Sequence, residues 1–378
     1  MRKTSYGSLS VQNIGWYGVV GMFTASVMLA PSGFVFAAAV AYITNGPNVL
    51  ITGDVRNVAV IDTIVHESAG TIDRQFGIGK LPRAVAFSPN GKRAYVVNTT
   101  DDSVSVVTVR FNEVIESEIG PGKDIIRVGD GPFGVAITPN GKRAYVSNQF
   151  DNTISVIDVD TKSQTFHTVV DTISVEAGPT GIAVTPDGTK VYIGHLGTEI
   201  PARLTIVDVA KNQVIKAIEF QPQGFPRPPA ISMMPILNQA YVTGVAINNP
   251  GGQSVTIIDV LTDDVIRTIE VGDSPAGVTF HPNGDRAFVA NNGSNTFSVI
   301  DTLTGQVTDE IATELSPWDI GITPDGLAMY VVFAGISEAA FPAAAVFVVE
   351  TLSAHPLVQF VSHSGASTDI AIQPVLRL

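Results

Sequence analysis

One stretch, Pro132 to Asp158, constrains the fold more than any other, because near-copies of it recur along the chain. Gly134 to Thr138 is a short β-branched run, and Pro139-Asn140-Gly141-Lys142 is a tight reversal. There proline presets φ and glycine accepts the positive φ of an Asn-Gly hairpin turn. Arg143 to Asn148 reads as a second strand and Gln149 to Asn152 as a polar turn. Thr153 to Asp158 reads as a third strand, with Ile154, Val156 and Asp158 alternating against Ser155 and Ile157. Three linked strands without a gap form a small antiparallel sheet.

The copies open at Pro82, Pro132, Pro179, Pro228, Pro275 and Pro317, and each ends its first run at a proline seven residues later. A seventh copy has Ser367 at the opening position and keeps Pro374. Successive openings lie 42 to 50 residues apart. That period, with several strands per repeat, predicts an all-β, seven-bladed propeller of four-stranded antiparallel blades. Solenoids of similar period carry helices, and no segment here has a sustained helical apolar period.

The second strand repeats most closely. It reads Ala41-Tyr-Ile-Thr-Asn45, Ala94-Tyr-Val-Val-Asn98, Ala144-Tyr-Val-Ser-Asn148, Val191-Tyr-Ile-Gly-His195, Ala240-Tyr-Val-Thr-Gly244, Ala287-Phe-Val-Ala-Asn291 and Met329-Tyr-Val-Val-Phe333. Over nearly all of residues 40 to 378 the chain resembles the Tyr-Val-Thr-Asn (YVTN) repeat family of β-propellers, the surface-layer and YncE-like group. The resemblance implies the fold. It also implies a choice of functions, since propellers of this kind include lactonase or lactone-forming enzymes and dehydrogenase subunits.

Residues 1–39 read as a cleavable signal peptide. Arg2 and Lys3 are followed by an apolar core, Tyr17 to Ala30, and by the break Pro31-Ser32-Gly33. Small-residue cleavage sites end at Ala37 and Ala39. The expected location is periplasmic or secreted; the alternative is an uncleaved membrane anchor. Residues 40–378 then form a single propeller domain. With no cysteine the chain has no disulfide framework and no thiolate chemistry. The formal net charge is −13, and residues 1–39 contain no acid, so the rest is more acidic still. This balance opposes nucleic acid and anionic lipid, and favours cationic partners or plain solubility.

After the signal, Val40 to Asn45 reads as a second strand, Asn57 to Asp62 as a third and Thr71 to Gln75 as a fourth. The missing first strand is Asp369 to Pro374 at the other end, so both chain ends are expected to complete one blade, closing the ring. The turns between first and second strands lie on one face. The loops between second and third strands, and those leading to each opening proline, share the other. His281, beside Pro282, reads as a turn variant. The Asn that ends most second strands reads as an Asx turn into the loop.

Differences among the copies on the shared loop face mark the candidate site. Arg83, Phe133, Thr180, Pro229, Ala276, Trp318 and Thr368 follow the opening positions and should rim the channel mouth. Arg83 is a candidate anion clamp, and Phe133 with Trp318 a candidate stacking pair or a plug. Asp319 follows Trp318, while His195 and Phe333 replace the second-strand Asn. Arg227, with Phe225, lies in a proline-stiffened insertion, Gln221 to Pro228. The six histidines lack metal-ligand spacing, and no phosphate loop, zincin, nucleophile-elbow or haem motif occurs. Asp101-Asp102 and Asp151-Asn152 read as turn formers with a possible Ca²⁺ role. These residues point to a monomeric binding or protein-interaction module with no cofactor and no metal. Its partner is an unidentified small molecule or protein, a basic redox protein among the choices. The alternative is a lactonase-like enzyme or a subunit of a periplasmic dehydrogenase system. A lactonase-like reaction would use His195 as base and Arg83 as carboxylate clamp, with Asp319 nearby.

Overall fold

The structure, a computed structural model, describes residues 40–372 apart from 47–57, 63–66, 73–77, 111–112, 116–124, 197–202, 221–228, 245–252, 314, 334–343, 351–357 and 364–365. Within 40–72, 109–115 and 344–372 only the backbone is described.

The strands follow the repeats. Blade 1 begins with β1 (Val40–Gly46), β2 (Val58–Asp62) and β3 (Glu67–Ile72). Blade 2 holds β4 (Pro82–Phe87), β5 (Arg93–Asn98), β6 (Ser103–Arg110), β7 (Glu113–Ile115) and β8 (Ile125–Arg127). Blade 3 holds β9 (Pro132–Ile137), β10 (Arg143–Asn148), β11 (Thr153–Asp158) and β12 (Thr168–Ser174). Blade 4 holds β13 (Pro179–Val184), β14 (Lys190–His195), β15 (Arg203–Asp208) and β16 (Gln213–Glu219). Blade 5 holds β17 (Ile231–Met233), β18 (Gln239–Thr243), β19 (Ser254–Asp259) and β20 (Asp264–Glu270). Blade 6 holds β21 (Pro275–Phe280), β22 (Arg286–Asn291), β23 (Thr296–Asp301) and β24 (Gln306–Ala312). Blade 7 holds β25 (Pro317–Ile322), β26 (Ala328–Phe333), β27 (Ala344–Glu350) and β28 (Val358–His363), and the last strand is β29 (Ala366–Ile372).

The sheet order β29-β1-β2-β3 takes strands from both ends of the chain, with Ala41 opposite Ile372 and Thr44 opposite Asp369. Each inner strand lies against the next, in the order β4, β9, β13, β17, β21, β25, β29, and β29 lies against β4. Three details depart from the sequence reading. The fourth strand of blade 1 is β3, earlier than Thr71 to Gln75. In blade 2 the outer strand is divided, β7 and β8 both pairing with β6. In blade 5 the inner strand spans only Ile231–Met233.

Second and third strands form the core. Tyr145, Ile154 and Val156 of blade 3 pack against Val191, Ile193 and Val207 of blade 4, all buried. Tyr192, Leu204 and Ile206 meet Ala240, Val242 and Ile258 of blade 5 in the same way. Each buried Val, Leu or Ile side chain here contributes about 1.5–3 kcal/mol. The outer strand β20 alternates, turning Asp264, Ile266, Thr268 and Glu270 to solvent, whereas β16 leaves Val214 and Ile215 exposed together.

A polar lock crosses each of three blade seams. The second-strand tyrosine of one blade reaches the left-handed residue in the third–fourth hairpin of the next. Tyr95 Oη lies 3.2 Å from His167 Nε2, Tyr145 donates to Asn212 Oδ1 at 3.1 Å, and Tyr192 donates to Asp263 Oδ1. His167, Asn212 and Asp263 have φ of 61°, 51° and 59°. Asn and Asp tolerate this conformation through local hydrogen bonds. In blade 6 the position is Gly305, φ 67°, and Arg267 covers it, donating to Thr304 O at 2.8 Å. Burial, and then Arg93, lower the His167 pKa to about 4, with Asp158 opposing, so its ring is neutral near pH 7. Burial pushes the Tyr145 phenol up to about 12, Arg143 opposing.

Candidate functional site

The inner strands begin at the loop face, and their opening residues enclose one cavity of about 300 Å³. Arg83 of β4, Phe133 of β9, and Trp318 and Asp319 of β25 line it together. Pro229 and Ala276 occupy the equivalent rim positions of blades 5 and 6. Of the seven rim residues expected, Arg83, Phe133, Pro229, Ala276 and Trp318 line the cavity; the Thr368 side chain lies outside what is described, and Thr180 is elsewhere. Thr180 is fully buried and donates to Gly194 O at 3.0 Å, turned into its own blade.

Two features shape the mouth. The Arg83 guanidinium carbon sits 3.7 Å from the centre of the Phe133 ring, a cation–π stack across the blade 2–blade 3 boundary. Asp319 leans the other way: a Cβ built on Gly277 of blade 6 would lie 2.6 Å from Asp319 Oδ1 and 2.8 Å from Asp319 Cα. Glycine at 277 is what lets β21 and β25 approach so closely. Oδ1 also accepts the Ile320 N–H at 2.9 Å.

His195 and Phe333, the two replacements of the second-strand Asn placed in the candidate site, do not line the cavity, which corrects the sequence reading. His195 is 3% exposed, with Nε2 2.8 Å from Thr205 Oγ1 and Nδ1 3.2 Å from Ala177 O. Burial lowers its pKa, with the Ala177 carbonyl and Glu176 opposing. Both ring nitrogens are engaged away from the cavity, so it cannot serve there as the base of a lactonase-like reaction. Phe333 is buried in a cluster with Phe288, Phe297 and Val331. Arg227 lies outside the described residues, as does Phe225.

The common Asn is a clamp, not an Asx turn. Asn98 Nδ2 donates to Ser103 and Ser105, Asn148 to Thr153 and Ser155, and Asn291 to Thr296 and Ser298. His195 with Thr205 is the same clamp in another residue. The acidic turns are pins. Asp101 Oδ2 accepts the Lys80 N–H at 2.7 Å, Asp151 Oδ2 that of Asp130 at 2.7 Å, and Asp102 Oδ1 reaches across the seam to the Gly131 N–H at 3.1 Å. Each bond uses one oxygen of its carboxylate and ties the turn to a backbone N–H. His281 is the turn variant expected, its Nδ1 against Asn283 Oδ1.

Fold and site together define a seven-bladed β-propeller with a cavity lined by inner-strand openings. A family model described as "Lactonase, 7-bladed beta-propeller" matches residues 63–225. Among solved structures, the chain is similar to hydrazine synthase of Kuenenia stuttgartiensis: 22% identity, TM-score 0.63, covering 79% of this chain and 90% of that one. It is also similar to a putative 6-phosphogluconolactonase from Bacteroides uniformis, at 14% identity and TM-score 0.67, covering 89% and 99%. Another from Bacteroides fragilis gives 15% and 0.64, covering 89% and 98%. At these identities the likeness is one of fold. No curated protein matches the chain.

Proposed function

We propose that this propeller is a binding module whose mouth cavity takes a small ligand. The observation that carries this reading is the meeting of Arg83, Phe133, Trp318 and Asp319 around one open volume. A cavity of about 300 Å³ sits at the lower end of the usual range for ligand sites. The aromatics stand at its wall and do not fill it. Trp318→Ala is expected to weaken a bound ligand by about 2 kcal/mol or more, as for a buried aromatic anchor. Since Trp16 lies in the signal segment, Trp318 is the sole tryptophan after cleavage, and its emission should report binding. Calorimetry and thermal unfolding on the one variant check this. Unchanged affinity with lost stability would make Trp318 a structural plug.

The lactonase reading draws support from the partial family match, and from Arg83 and Asp319 sharing the cavity. It would need a base other than His195. A role as a subunit beside a basic redox partner stays within the same proposal, on the strength of the chain's acidic balance.

Export belongs to the proposal as well, on the strength of the cationic start, apolar core and small-residue sites of residues 1–39. N-terminal sequencing of protein from the native envelope should give Ala38 or Val40. An intact Met1 chain in the membrane fraction would instead establish an anchor.

A further inference from the structure

Each blade is an antiparallel meander, so its first–second turn and its third–fourth hairpin share the face opposite the mouth. On this underside the repeats keep one scaffold and change the side chains. The residue after the turn glycine is Lys92 in blade 2 and Lys142 in blade 3, both exposed. At the same register blade 6 has Asp285, and blade 7 has Leu327 two residues after Asp325, all exposed. In the hairpins, blade 4 exposes Lys211 where blade 5 exposes Asp264. Lysine thus marks blades 2 to 4 and aspartate blades 5 to 7. Asp187 is the exposed acid of the lysine half among the described residues, and it is tied into its own turn by Thr185 and Thr189.

The aspartate half is also the apolar half. Leu303 and Leu261, in the hairpins of blades 6 and 5, are 86% and 66% exposed, and Ile236 and Leu237 are exposed in the first–second turn of blade 5. Hydrogen bonds and packing join them into one patch. Val260, beside Leu261, donates its N–H to Asn238 O at 2.9 Å. Ile236 covers Gly284 of blade 6, and Gly284 O accepts from Thr302 Oγ1 at 2.6 Å, next to Leu303. A contiguous apolar patch with a polar rim marks an interaction surface.

We propose that this underside binds a second copy of the chain, in place of the monomer expected from the sequence. The two halves are arranged as a two-fold axis requires. Blade 1 closes the ring between blades 7 and 2. An axis lying in the underside, through blade 1 and between blades 4 and 5, lays blades 2, 3 and 4 on blades 7, 6 and 5 of the other copy. Lys92 then meets the Asp325–Leu327 turn and Lys142 meets Asp285, turn on turn. Lys211 meets Asp264, hairpin on hairpin. The long hairpin of blade 3, Asp158 to Thr168, covers the short one of blade 6, Asp301 to Gln306, which carries Leu303. Lysine stems and the exposed Pro89 and Pro139 cover the apolar patch while the ammonium heads reach the carboxylates.

Electrostatics favours this partner. A chain of formal charge −13 repels its copies overall, and matched halves are what let one underside approach another. The neighbours these charges already have, Lys216 at 2.8 Å from Asp264, Arg286 Nε at 3.5 Å from Asp285 and Asp160 at 3.9 Å from Lys142, form exposed pairs of small worth. Both mouths point outward, so the dimer leaves the proposed ligand site open and does not depend on it.

Sedimentation of protein expressed from the full sequence tests the proposal. A dimer is expected at about 0.05 M salt, weakened about tenfold or more at about 0.5 M by screening of its charge pairs. A monomer at low salt overturns the proposal and leaves the patch to a partner of another kind. Lys142→Glu with Lys211→Glu makes both halves acidic, and Asp264→Lys with Asp285→Lys makes both cationic. Each double variant alone should be monomeric, and their equimolar mixture should form a heterodimer. Variants that dimerise like the wild type overturn the proposal. So does a mixture that stays monomeric when both variants show the wild-type melting transition. Leu303→Ser alters only an exposed tip and should by itself raise the dissociation constant about tenfold. An unchanged constant there overturns the proposal, whatever the charge variants do.

Discussion

Deleting Ser367 to Leu378 is expected to abolish cooperative unfolding and leave no stable six-bladed remnant. The deletion removes nearly all of β29, which pairs with β1 through Thr44–Asp369, Ile43–Ile370, Tyr42–Ala371 and Ala41–Ile372. It also removes the strand that lies between β25 and β4 among the inner strands. β1 would become an open edge, with its hydrogen-bonding groups exposed to water or to another chain. β4 and β25 would each lose an inner neighbour. A propeller's blades lend one another their buried faces, so the loss is shared round the ring rather than confined to blade 1. Calorimetry on the truncated chain decides it. A single transition at the full-length temperature would show that the two chain ends do not hold the domain.

What the sequence made legible is what the repeats share. Seven copies of the second strand, six with tyrosine and one with Phe288, and prolines seven residues apart in six copies placed the strands and the composite blade nearly where they lie. The rim was legible too, because one residue follows each opening proline at the same register. The tasks of the repeated polar residues were not, since their partners lie elsewhere in the fold. The tyrosine's partner is in the next blade, some seventy residues on in each lock. The Asn clamp could have been found: Ser or Thr stands five and seven residues after Asn98, Asn148 and Asn291 alike. In blade 4 the longer loop breaks that spacing, which let His195 look like an exception with a function. Thr180 was placed on the rim because nothing near it in sequence shows the Gly194 carbonyl that draws it inward.

The lock between blades 4 and 5 carries the other large effect. Lys190 Nζ donates to both oxygens of Asp263, at 2.8 and 2.7 Å, and to Val260 O at 2.8 Å. Tyr192 donates to the same carboxylate, and Lys216 Nζ donates to the Asp263 carbonyl at 2.6 Å. The Lys190 and Asp263 side chains are only 19% and 10% exposed. Burial first, and then the hydrogen bond to Asp263, hold the Tyr192 phenol well above its ordinary pKa. Asp263→Ala strands a largely buried ammonium and a buried hydroxyl, so it should cost about 3–5 kcal/mol. It also keeps a Cβ at φ 59° without the side-chain oxygen that makes that conformation tolerable. Asp263→Asn keeps an acceptor for Tyr192 and an αL-tolerant residue, and loses only the charge, so about 1–2 kcal/mol is expected. Asp263→Gly removes the backbone strain but not the stranded groups, and should fall between the two. Urea unfolding of the three variants gives that order directly. A cost below about 1 kcal/mol for Asp263→Ala would mean that water replaces the carboxylate readily, and that the seam is held by its apolar contacts alone.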